Sequence, residues 1–271
     1  MNDNEIQRFY HPELDGLRFV AFLLGFIHNA LPILTNTPIE KLSKYGWIGV
    51  DLFFCISAFL ITKLLTSEYD RTKTIDSKKY LFRRILKIWP QYFLYIIIIY
   101  LFKDEIPSGN TRMFENLLGL STFTYNIFYF YLSPSPVLLF IHLWSISYEF
   151  QYYIVLPAIT RTLMTVTYKQ KRFVFLCLLL ISTLIRIIFI YFQFKHPAVY
   201  FIPITHFDAI LGGIAIGIGS LNDLVRNISG LRLFILGFIS NALIFFLPNN
   251  DVIGWNLLLI YPLVGIGMSS I

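Results

Sequence analysis

Apolar runs long enough to cross a bilayer recur along nearly the whole chain, near residues 17–35, 46–66, 86–102, 114–133, 138–160, 173–194, 199–219, 232–248 and 253–271. A helix rising about 1.5 Å per residue needs roughly 20 residues to traverse a hydrocarbon core, and most of these runs approach that length. Lipid offers no partner to a free backbone amide, so each run must become a helix or a strand of a closed barrel. The runs are continuous and lack the alternation of a lipid-facing strand. The expected fold is therefore all-α, a polytopic transmembrane helix bundle with about eight to nine spans. With 56% hydrophobic and 14% charged residues, the 271-residue chain carries too little polar surface to coat a water-soluble globule. No repeat, low-complexity tract or soluble second domain interrupts the pattern, and residues 1–271 read as one membrane domain.

The formal charge of +6 is concentrated between the apolar runs. That placement fits cytoplasmic membrane loops and gives no reason to expect a nucleic-acid partner. Residues 63–87 carry Lys63, Arg71, Lys73, Lys78, Lys79, Arg83, Arg84 and Lys87 against Glu68, Asp70 and Asp76. This stretch is expected in the cytoplasm, with the N-terminus on the same side and the chain in a bacterial plasma membrane. Residues 161–172, and the stretch holding Arg226 and Arg232, also look cytoplasmic. Three full crossings between Lys87 and Arg161 would put both outside, so one run there must not cross. The polar residues Asn116, Ser121, Thr122, Thr124 and Asn126 single out 114–133 as a re-entrant or surface helix. Cys55 and Cys177 lie inside apolar runs and read as packed thiols, with no disulfide framework and no metal site. The polar N-terminus shows no cleavable signal, so the first span is expected to stay, and the ending MSSI directly after an apolar run suggests a truncated chain.

Five blocks place polar groups inside this apolar frame. In YHPELDGLRFVAFLLGFIHN, residues 10–29, Arg18 and Asn29 are eleven positions apart and share a helical face. His28 points about 80° away from that line and, at roughly 15 Å beyond Arg18, is expected near mid-membrane. A buried imidazole is a usable general base because burial favours its neutral form, although a hydrogen bond to a neighbouring helix is the plainer role. Arg18 could grip a phosphorylated donor or serve as an interfacial anchor. In GWIGVDLFFCISAFLIT, Asp51 could orient an imidazole on the first span or cap its own helix. FRRILKIWPQY places Arg83, Arg84 and Lys87 on one basic ridge suited to a polyanion or to lipid headgroups. HLWSISYEFQYYIVLP sets His142, Ser145 and Glu149 on one face, and Glu149 requires a partner such as His142, Arg186 or His206. THFDAILGG adds His206 and Asp208 at the start of a glycine-containing span.

Taken in order over residues 10 to about 215, these blocks resemble the acyltransferase family 3 membrane proteins. The resemblance implies a bundle of about ten transmembrane helices, an acyl-CoA co-substrate bound on the cytoplasmic side with no further cofactor, and O-acylation of a carbohydrate acceptor. It makes Arg18, Arg83, Arg84 and Lys87 donor-binding residues and Glu149, Trp144 and Asp51 parts of a polar core; the residues themselves make His28 and Glu149 the catalytic candidates and add His142, Ser145 and Asp208 to that core. Three departures stand out. The family's first span runs from an Arg through ten residues to the catalytic His, and that position is Asn29 here. Asn cannot take a proton, so either His28 assumes the task or this copy is impaired. Ala58 and Lys87 stand where Gly and Arg are usual, and the family's closing spans are missing. The expected function is transfer of an acyl group, acetyl above all, from acyl-CoA to a glycan hydroxyl at the cell envelope. The rival readings are an impaired relative and a transporter of a lipid-linked saccharide.

Overall fold

The structure is a computed structural model that describes residues 12–30, 36–102, 112–132 and 138–270. Among the described residues the chain is helical, with no strand. Its elements are α1 (Pro12–Asn29), α2 (Glu40–Tyr45), α3 (Ile48–Thr72), α4 (Ser77–Leu101), α5 (Met113–Ser121), α6 (Tyr125–Leu132), α7 (Trp144–Met164) and α8 (Tyr168–Tyr191). These are followed by α9 (Asp208–Gly217), α10 (Gly230–Ile244) and α11 (Leu257–Ser270). α3, α4 and α8 are each long and apolar enough to span a membrane, and α9, α10 and α11 are shorter apolar helices.

The turn between α3 and α4 marks one end of the bundle, the end rich in basic residues. Lys73 takes a left-handed conformation to close α3, Asp76 caps α4 by accepting from the Lys79 amide at 3.0 Å, and Glu68 accepts from the Asp76 amide at 2.9 Å. Arg161, near the end of α7, donates to the Ile75 carbonyl in this same turn at 2.7 Å. α7 therefore returns to the basic end from which α4 departed, and the segment between them does not cross. It forms a helical hairpin instead, with its turn at Phe123. Tyr92 of α4 donates to the Leu120 carbonyl at 3.0 Å, and Gln151 of α7 donates to the Phe123 carbonyl at 2.8 Å. The expected re-entrant segment is thus a hairpin whose tip is held between α4 and α7.

The apolar run 199–219 differs from a simple span. Ile202 is extended ahead of Pro203, as a residue before proline prefers, and the chain passes through one helical turn (Ala198–Phe201) and a 3₁₀ turn (Pro203–Thr205) before α9 begins. Most of this break is buried, with Ile204 exposed. Irregular backbone survives inside a membrane bundle only where the protein itself satisfies it, and it does so here. Thr205 Oγ1 donates to the Val199 carbonyl at 2.7 Å, and Asn126 on α6 donates to Phe201 at 3.0 Å. Tyr148 on α7 donates to His206 at 2.6 Å and to Pro203 at 3.2 Å.

α9 then packs against α3 at backbone distance. A Cβ added at Gly213 would lie 2.3 Å from the Cys55 carbonyl oxygen and 2.9 Å from Ala58 Cβ. Gly49 plays the same part between α3 and α1, where an added Cβ would meet the Ala21 carbonyl oxygen at 2.4 Å. Small residues at such crossings let helices approach closely enough for dispersion to hold them in lipid. Gly213→Leu should lower the thermal midpoint in detergent through overpacking of about 1–3 kcal/mol or more. Gly16→Ala, where an added Cβ meets nothing within 4 Å, should leave it unchanged or slightly higher.

Candidate active site

Polar side chains inside the bundle divide into a sealed ionic centre and an open cavity. The sealed centre surrounds the broken segment. His206 Nε2 lies 2.7 Å from Asp51 Oδ1, with both side chains buried. Its Nδ1 is 2.9 Å from the Tyr200 carbonyl. A carbonyl can only accept, so Nδ1 carries a hydrogen, and Nε2 is left facing the Asp51 carboxylate. Arg186 on α8 directs Nη2 to both carboxylate oxygens of Asp208, at 2.8 and 2.6 Å, and to Ser182 at 2.7 Å. Its guanidinium also lies over the Tyr261 ring, 5.2 Å from the centroid. Trp144 packs nearby, stacked on Phe201 at 4.3 Å and tilted against Tyr200 at 4.8 Å. Asp51, Asp208 and Trp144 thus serve the expected polar core by pinning helices together.

The open cavity, of about 650 Å³, lies between α1, α3 and the start of α7, toward the end opposite the basic turn. Its polar lining is Asn29, His142, Ser145 and Glu149; Phe22, Phe26, Phe53 and Phe54 are among its apolar walls. The face predicted to unite His142, Ser145 and Glu149 is formed, with His142 contributed by a 3₁₀ turn (Leu138–Leu143) ahead of α7. Ser145 donates to the His142 carbonyl at 2.9 Å, and the His142 ring meets Tyr95 edge-on at 5.3 Å. Glu149 accepts a short hydrogen bond from Tyr153, one turn along the same helix.

Several sequence expectations require correction. His28 does not line the cavity. α1 ends at Asn29, which puts His28 in the last helical turn, and its Nδ1 lies 2.9 Å from the Ser43 carbonyl on α2. The helical step of about 100° between positions 28 and 29 decides this: one side chain faces the cavity and the other faces α2. Asn29 occupies the cavity wall, its amide donating to the Gly25 carbonyl at 2.8 Å. Glu149 pairs with Tyr153, and the expected partners Arg186 and His206 are held instead by Asp208 and Asp51. Asp51 does orient an imidazole, but on the chain ahead of α9 and not on α1.

The basic ridge is split. Arg83 and Lys87 are exposed, whereas Arg84 turns inward and its guanidinium lies 5.7 Å from the Tyr153 ring. Arg18 is partly exposed and paired with Asp15 at 2.9 Å. Sequence reasoning missed Tyr153, whose spacing from Glu149 within YEFQYY was the available signal, since residues at i and i+4 meet on a helix. It also missed Tyr148, which reads as a generic aromatic until the broken backbone it serves is seen. Among the described residues no group of three His, Cys, Asp or Glu side chains could hold a metal ion.

A largely apolar cavity carrying four polar side chains thus opens toward one end of the bundle, and the basic turn lies at the other. The profile of the Acyl_transf_3 family, described as an acyltransferase domain, matches residues 11–271, and the chain belongs to this family. O-acetyltransferase OatA of Staphylococcus aureus (strain NCTC 8325 / PS 47) is 31% identical over 215 residues, covering 75% of this chain and 34% of that protein. Peptidoglycan O-acetyltransferase OatA of Listeria monocytogenes is 27% identical over 164 residues, covering 56% of this chain and 24% of that protein. The chain spans about a third or less of the length of these relatives. No solved structure matches.

The ionic centre predicts a large stability effect. Arg186→Met strands a buried carboxylate and should cost about 3–5 kcal/mol, read as a drop in thermal midpoint. Adding Asp208→Asn to that variant should recover part of the loss, because an uncharged amide in the same place carries a smaller desolvation cost.

Proposed function

We propose that the chain transfers an acyl group, acetyl in the first instance, from acyl-CoA to a hydroxyl of a cell-envelope glycan. The observation that carries this reading is the link between the cavity and the opposite end of the bundle. Glu149 at the cavity wall is bonded to Tyr153, and Tyr153 lies against Arg84, which belongs to the basic segment. A thioester donor held at the basic end and a glycan hydroxyl entering the cavity would thus approach the same polar strip from opposite sides.

Exposed Arg83 and Lys87 and partly exposed Arg18 supply positive charge for the phosphates of the CoA moiety, with Arg18 exchanging its exposed Asp15 partner for the ligand. In the transfer, the hydroxyl oxygen attacks the thioester carbonyl, the carbon–sulfur bond breaks and the hydroxyl proton leaves through a cavity base to the departing thiolate. Glu149, steadied by Tyr153, holds the reacting groups, and the Asn29 amide offers an acceptor to the incoming hydroxyl. The acceptor class follows the relatives named as O-acetyltransferases, one of them acting on peptidoglycan. The membrane is a bacterial plasma membrane with the basic end cytoplasmic, as the excess of Lys and Arg there favours. A second reading, a family member without turnover, is favoured by one observation: Asn29, where the resemblance expects a catalytic histidine, lies on the cavity wall.

Purified protein given acetyl-CoA and peptidoglycan glycan strands should release thiol and form alkali-labile acetyl esters. Glu149→Gln should reduce the rate by about 10²-fold or more. Arg83→Ala combined with Lys87→Ala should raise KM for acetyl-CoA with little change in kcat, the mark of lost ground-state binding. Absence of thioester consumption by the unmodified chain would favour the reading without turnover.

A further inference from the structure

The proposed transfer needs a base at the cavity, and the family's own position cannot supply one because Asn29 does not accept a proton. Four histidines are described, and one of them, His196, precedes the Ala198–Phe201 turn and does not line the cavity. The His28 ring is held by the Ser43 carbonyl and does not line the cavity. The His206 ring is committed on both sides, to Tyr200 and to Asp51, and is sealed within the bundle. His142 differs from both. It is exposed, it lines the same cavity as Asn29 and Glu149, and its ring nitrogens hydrogen-bond to none of the described residues.

We propose that His142 is the proton acceptor of this chain, a catalytic residue that stands in for the missing histidine at position 29 by facing the same cavity from α7's side. The inference rests on the acyl-transfer reading above.

The surroundings of His142 suit that role. The 3₁₀ turn carrying it is fastened from both directions: Tyr95 Oη donates to the Leu139 carbonyl at 2.9 Å, and Ser145 Oγ donates to the carbonyl of His142 itself at 2.9 Å. The Tyr95 ring meets the imidazole edge-on at 5.3 Å and packs against it. The backbone is therefore positioned, and the nitrogens are available. The carboxylate of Glu149 already accepts from Tyr153, so it is less available as a proton acceptor than the imidazole. An imidazole also has an ordinary pKa near neutrality, where it can take a proton and return it. The step balances. The glycan oxygen bonds to the acyl carbon while its proton passes to a His142 nitrogen, the carbon–sulfur bond breaks, and the imidazolium returns the proton to the thiolate.

Two measurements test this. The first needs no turnover: carbethoxylation of detergent-purified protein with diethylpyrocarbonate, mapped by mass spectrometry, should modify His142 well before His28 and His206. The second compares acetyl transfer from acetyl-CoA to peptidoglycan glycan strands by the unmodified chain, His142→Ala, His142→Gln, and His142→Ala combined with Asn29→His. Both single variants should lose about 10²–10⁴-fold in kcat with KM for acetyl-CoA nearly unchanged. Added imidazole should restore part of the His142→Ala rate, and so should Asn29→His. The limb of the unmodified pH–rate profile that reports a neutral imidazole should vanish in His142→Gln. Retention of activity within about twofold by His142→Gln would overturn the role of His142 and leave the transferase reading intact. An unmodified chain that consumes no thioester would overturn the transferase reading, and the role of His142 with it. Slower labelling of His142 than of His28 would contradict the accessibility on which the assignment stands.

Discussion

Backbone carbonyls cannot be left unpaired inside a membrane bundle, and the chain between Ala198 and Phe207 breaks helical pairing in such a place. Most of what is polar in the interior answers that constraint. Thr205, Asn126, Tyr148 and His206 each donate to a carbonyl of the break, and they come from three separate parts of the chain. The His206 ring that satisfies Tyr200 also meets Asp51 on α3. Two residues further on, Asp208 holds Arg186 on α8. One irregular segment thereby fixes α3, α6, α7 and α8 relative to α9. Charges that would be costly in lipid are tolerated because each has its counterpart within hydrogen-bond reach.

That arrangement also determines what the cavity can offer. α7 is held on one side by Tyr148 and Trp144 against the broken segment, which turns Ser145 and Glu149 toward α1. Gly49 lets α1 lie directly on α3, so the Asn29 face closes the other wall. The two polar systems then differ in kind. The ionic centre pairs its charges with its own members, Arg186 with Asp208 and His206 with Asp51, and works as a joint. The cavity retains His142 and Asn29 groups with room for a partner, and is where chemistry on a ligand can occur.

Much of this was legible in the sequence. Helical spans, the basic turn and the non-crossing segment 114–133 follow from apolar length and charge asymmetry, because lipid imposes them on each segment separately. The cavity face of α7 follows from the spacing of His142, Ser145 and Glu149. Pairing across the bundle was not legible. Asp51, His206, Arg186 and Asp208 could be combined in several ways, and the choice depends on how closely α9 approaches α3 at Gly213, a tertiary fact. His28 misled for a related reason. One helical step separates it from Asn29, and which of the two faces the cavity is set by α2, whose Ser43 carbonyl captures the imidazole. Tyr153 was overlooked because a hydroxyl was not weighed beside charged residues as the partner of Glu149.

Catalysis in this account joins a donor at the basic end to an acceptor at the cavity, on opposite sides of the bilayer. The most direct measurement reconstitutes the chain in sealed vesicles sorted for basic ends facing outward, with labelled acetyl-CoA outside and peptidoglycan glycan strands inside. The account predicts acetylated glycan within the lumen and free thiol in the external medium. Ester formed only when donor and glycan share one compartment would contradict it.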